Sequence, residues 1–107
     1  MNVAEITVKG RVVGKPWQYI SGNTYIIFPL QLTEAVEYSE EGKEFKINNL
    51  DFILIISPFL CWVSKEHIIE ITGKVNQGEG FFFIIPTKIY SNFWKFTFKK
   101  EFEEGLP

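Results

Sequence analysis

A chain of 107 residues with a formal net charge of −2 has room for one domain built on one core. Hydrophobic residues make up 46% of it and aromatics 17%, which excludes a disordered chain and leaves aromatic side chains over for the surface. A single cysteine, Cys61, excludes an internal disulfide and a cysteine-built metal cluster, and it points to a reducing, intracellular setting.

Charge is unevenly spread. Glu34, Glu37, Glu40, Glu41 and Glu44 stand against Lys43 in one segment, and Glu101, Glu103 and Glu104 sit near the end. The rest, ten basic residues against five acidic, is net +5, so the body is mildly basic. Arg11 is the single arginine, which argues against bidentate phosphate or guanine contacts as the main instrument. Residues 1–10 lack the basic-then-apolar order of a signal peptide. The longest apolar stretch, 52–63, is interrupted by Ser57 and Pro58 and falls short of the roughly 18 residues a spanning helix needs, so no membrane contact is expected.

In chain order, residues 5–13 alternate as a half-buried strand, with Gly10 marking a bend. Residues 14–23 read as a loop or hairpin carrying Trp17 and Tyr19, with Ser21-Gly22-Asn23 as a turn. A second strand, 24–32, puts Phe28, Leu30 and Leu32 on one face and Tyr25, Ile27 and Gln31 on the other. Pro29 places it at an edge or a bulge. The acidic segment turns at Glu41-Gly42-Lys43 and leads to a third strand, 46–57, whose run Phe52 to Ile56 reads as buried on both sides. Pro58 opens a segment, 59–65, expected to form a turn or two of helix. A fourth strand, 67–75, and a fifth, 81–90, flank the turn at residues 76–80.

Five strands with a small helix between the third and fourth is the order of an all-β OB fold, a Greek-key barrel. The segments ITVKGRVVGKPW, SGNTYIIFPLQLTE and HIIEITGKVNQGEGFFFIIPTKIY resemble the first, second and fourth-to-fifth strands of OB domains in replication protein A and archaeal single-stranded-DNA-binding proteins. The resemblance spans about residues 3–91 and departs where that family often carries Trp-Gly, here Ile55-Ile56-Ser57-Pro58. It implies an OB barrel over 1–91, a C-terminal extension over 92–107, and single-stranded DNA as the ligand, with RNA as a variant.

Residue types offer no catalytic set: Cys61 and His67 read as a buried thiol and a strand-opening imidazole, and no metal or cofactor site is spelled out. Single-strand binding needs aromatic faces beside cations. Both occur where OB domains use them, as Lys9, Arg11, Lys15, Trp17, Tyr19 and Tyr25 around the first loop, and as Lys74 and Phe81 around the last hairpin. Such a basic groove predicts an affinity that falls steeply with salt. In the extension, Trp94, Phe96 and Phe98 alternate as in a strand, whereas Trp94, Phe98 and Phe102 share a helical spacing. The layout resembles small subunits of replication protein A and telomere-capping complexes. It makes these four aromatics candidates for contact with a protein subunit or a second copy, the alternative function being that of an assembly module.

Overall fold

The computed structural model describes residues 5–49 and 51–99, which form nine strands and no helix. The first strand, β1 (Glu5–Val12), pairs antiparallel with both β7 (Ile68–Gly78) and β3 (Asn23–Leu32). On its far side β3 pairs with β6 (Phe52–Ser57), and β7 pairs with β8 (Phe81–Ser91). The ring closes through parallel pairing of β6 with β8 at Leu54–Phe83 and Ile55–Ile84. These five strands are the expected ones, except that the third, expected over 46–57, starts only at Phe52, residues 46 and 47 pairing in a separate hairpin. Their inward rows fill the barrel with Val8, Val12, Phe28, Leu30, Ile53, Ile55, Ile69, Ile71, Ile84 and Ile89, each at most 1% exposed.

Two glycines permit the closure. A Cβ on Gly10 would lie 2.6 Å from the Gln31 carbonyl oxygen, at the point where β1 leaves β7 for β3. A Cβ on Gly73 would lie 2.6 Å from the Ile85 carbonyl oxygen, beside the shift in β7–β8 register that leaves Thr87 as the bulged residue. Pro29, expected at an edge or bulge, lies in a gap in the ladder. The pairing of β3 with β2 (Trp17–Ser21) ends at Ile27 and that with β1 starts at Leu30, while the Pro29 carbonyl accepts the Val13 N–H at 3.2 Å.

The helix expected over 59–65 does not form. Ser57, fully buried, accepts the Phe59 N–H at 3.3 Å and donates its hydroxyl to the Phe59 carbonyl at 2.7 Å, so a side chain occupies the acceptor that the first helical turn would use. Phe59, Cys61 and Val63 are then buried while Leu60 and Trp62 are exposed, the period of extended chain. The acidic segment is a hairpin of β4 (Val36–Glu40) and β5 (Lys43–Ile47). Its inner face carries Tyr38 stacked on Phe45, ring centroids 5.2 Å apart, and the fully buried Ile47. Over 96–99 the extension is a strand, β9 (Phe96–Lys99), added to the edge of β8 and sending Phe98 into the core. The other residue of the expected helical stripe, Phe102, lies outside the described residues.

Candidate nucleic-acid interface

Strand alternation sorts the side chains of β3 and β6 into an inner row and an outer one. Inside are Ile26, Phe28, Leu30 and Leu32 with Ile53, Ile55 and Ser57; outside are Tyr25, Ile27, Pro29 and Gln31 with Phe52, Leu54 and Ile56. Directly opposed residues share a face, so the register places Tyr19 beside Tyr25, Ile27 between Trp17 and Ile56, Leu54 between Pro29 and Phe83, and Phe52 beside Gln31. The result is one outer stripe. From Tyr25 to Gln31 it runs six residues of strand, about 20 Å.

Trp17, Tyr19 and Tyr25 are thus brought together because, of the loop or hairpin expected over 14–23, it is the hairpin that forms, Trp17–Ser21 pairing with β3 about Gly22. Trp17 is 49% exposed and Tyr19 54%. At the other end Phe81, 47% exposed, stacks at a tilt on Phe83 with centroids 5.8 Å apart and borders a cleft of about 350 Å³ that Phe52, Pro29 and Leu54 also line. Phe52 was missed by the sequence reading, which buried the whole run 52–56; in the fold it is 63% exposed. The signal available was the alternation of Phe52, Leu54 and Ile56 against Ile53, Ile55 and Ser57.

The cations are arranged differently from the expected basic groove. Residues 16–33 and 52–57 contain no charged side chain, so the stripe over β2, β3 and β6 is neutral. Arg11 points out of β1, where its guanidinium donates to Glu66 at 2.8 Å and to Gln31 at 2.9 Å. Lys9 opposes Glu70, and Lys74 lies between Glu5 and Ile85 on the β1–β7–β8 side of the barrel. Lys15, exposed in the turn before Trp17, is the candidate cation nearest the stripe in sequence.

A second group of aromatics forms at the barrel end where β6 stops and β9 starts. The Trp94 indole N–H donates to the Trp62 carbonyl at 3.0 Å, Trp62 meets Phe98 edge-on at 5.5 Å, and Phe96 meets Phe98 at 5.0 Å. Trp62, Phe93, Trp94 and Phe96 remain half exposed or more. The extended course of 59–63 is what delivers Trp62 to this group.

Neither Cys61 nor His67 is set up for chemistry. Burial pushes the Cys61 thiol up to about 11, and the His67 ring stacks on Phe93 at 4.3 Å while its Nδ1 accepts the Ser64 N–H. Among the described residues no group of three or more His, Cys, Asp or Glu side chains could hold a metal ion.

No protein-family model matches the chain, and no curated protein matches its sequence. Solved structures do match its fold. A small single-stranded DNA-binding protein from Streptomyces coelicolor superposes with a TM-score of 0.63 at 14% identity, over 86% of this chain and 95% of the other. The second single-stranded DNA-binding protein of Mycobacterium smegmatis gives 0.63 at 11% identity, over 94% and 99%. The mitochondrial single-stranded DNA-binding protein of S. cerevisiae gives 0.59 at 11%, over 85% and 96%. The barrel is an OB fold. In OB barrels ligands cross the face of the second and third barrel strands, here β3 and β6, between the first and last hairpin loops. The aromatic stripe occupies that face, bounded by the β2–β3 hairpin and the β7–β8 hairpin.

Proposed function

We propose that this OB barrel binds single-stranded nucleic acid, DNA in preference to RNA, by base stacking on the β2–β3–β6 face, and that it acts in genome maintenance as a binding protein rather than an enzyme. The observation that carries the reading is the row of rings, exposed at Trp17, Tyr19, Phe52 and Phe81 and partly exposed at Tyr25, on the face where OB barrels take their ligands. Each stacked base contributes about 1–3 kcal/mol, and stacking tolerates any sequence because every base has a π-face. The structural neighbours, named as single-stranded DNA-binding proteins, support the choice of ligand. The buried free thiol of Cys61 suits an intracellular setting. The alternative, a protein contact through Trp94, Phe96 and Phe98, has in its favour the exposure of Trp94 and Phe96.

Because the stripe is neutral, a short oligomer that covers it contacts few cations. Titration of oligothymidine of about 6 nucleotides, read by quenching of tryptophan fluorescence, should show binding with a slope of log affinity on log salt shallower than about −2, since single strands lose about 0.7 per neutralised phosphate. Absence of binding to both DNA and RNA at low salt refutes the reading.

A further inference from the structure

We propose a second single-strand-binding surface at the barrel end, built on Trp62, Trp94 and Phe96, which the same strand reaches as it leaves the main face at Tyr25. The proposal rests on the reading of that main face, and its test separates the two.

Charge is the first argument. Residues 57–67 and 92–97 carry Lys65 and Lys95 against one carboxylate, Glu66, which Arg11 already engages at 2.8 Å. Among the described residues, Glu70 on β7 lies between Lys9 and Tyr90 in register. Lys88 and Lys99, direct cross-strand partners in β8–β9, alternate with Phe96 and Phe98 and so lie on the other face of the sheet, where Lys88 lines a cleft with Glu70; they take no part in this surface. Lys95 sits between Trp94 and Phe96 in the turn leading into β9. Aromatic rings interleaved with lysines suit a polyanion with stackable bases. Protein interfaces, in contrast, are depleted of lysine at their cores.

Geometry is the second. The Trp94–Trp62 hydrogen bond, the Trp94 N–H to Ser91 Oγ bond at 3.0 Å and the edge contacts to Phe98 hold the rings in place around a cleft of about 230 Å³. They therefore present their surface without further ordering. The way from the main face is open: a cleft of about 530 Å³ lined by Thr24, Tyr25, Pro58 and Leu60 separates the two surfaces. Leu60 and Trp62, two residues apart in extended chain and both exposed, carry the apolar track across, a step of about 7 Å.

The test compares oligothymidines of about 6 and 20 nucleotides on the full chain, on Phe96→Ala and on the surface pair Lys65→Gln/Lys95→Gln, with thermal melts confirming that each variant is folded. The short oligomer should bind all three alike. For the long one, Phe96→Ala should lose about 5-fold or more in affinity, and the lysine pair should flatten the salt slope by about 1.4. If the long oligomer binds all three with the same affinity and slope while the short one binds normally, the second surface is refuted and the main face stands; the rings then belong to a protein contact. If neither oligomer binds the full chain, both readings fall together.

Discussion

Phe52→Ala tests the main face at the residue that only the fold exposes. With 63% of its surface still open, Phe52 gains only about a third of the burial that stabilises a core side chain by about 3 kcal/mol, so truncation should cost roughly 1 kcal/mol. For a domain of this size that is a fall in Tm of about 4–8 °C, leaving the barrel folded at room temperature. Loss of one stacked base costs about 1–3 kcal/mol of binding, which is roughly a 5- to 150-fold rise in Kd. The assay pairs oligothymidine titration by tryptophan quenching with a thermal melt. Phe28→Ala is the contrast: fully buried, it should lose about 3–5 kcal/mol of stability. An affinity for Phe52→Ala within twofold of the unaltered chain, with the small Tm change seen, would show that the strand does not cross β6 at this end.

Two further outcomes concern the barrel itself. Gly73→Ala should destabilise by about 1–3 kcal/mol in a urea titration, because the new methyl would meet backbone, the Ile85 oxygen at 2.6 Å and the Pro86 Cα at 2.7 Å; a change under 0.5 kcal/mol by that assay would mean the bulge gives way freely. Cys61 should make stability depend on alkaline pH, since burial raises its thiol from the ordinary 9.0 to about 11 in the folded state. The unfolded chain gives up this proton first as pH rises. The contribution is therefore complete below pH 9 and lost through pH 11, worth about 2–3 kcal/mol, and Cys61→Ala should remove that part of the urea-midpoint pH profile.

How far the sequence could be read depends on how local each feature is. Alternation in 5–13, 24–32, 67–75 and 81–90, with turn residues between, determines four barrel strands and their inward rows, because side-chain direction in a strand follows from neighbouring residues alone. It equally put Trp17, Tyr19, Tyr25 and Phe81 among the candidates for the face. The closure was beyond it. Whether Phe52 is buried depends on what covers the outer face of β6, and parallel β6–β8 pairing covers Leu54 but not Phe52. The helix over 59–65 failed for a similar reason: the Ser57 hydroxyl, buried by the barrel, holds Phe59 in a bend that helix propensity does not foresee. The sign of charge at the face was also a tertiary matter. Arg11 alternates outward as expected, yet Glu66, 55 residues away, comes back to pair with it. By itself, then, the sequence determined which side chains point in and which point out. Only the closed barrel decided which outward ones meet, because that depends on contacts between residues distant in the chain.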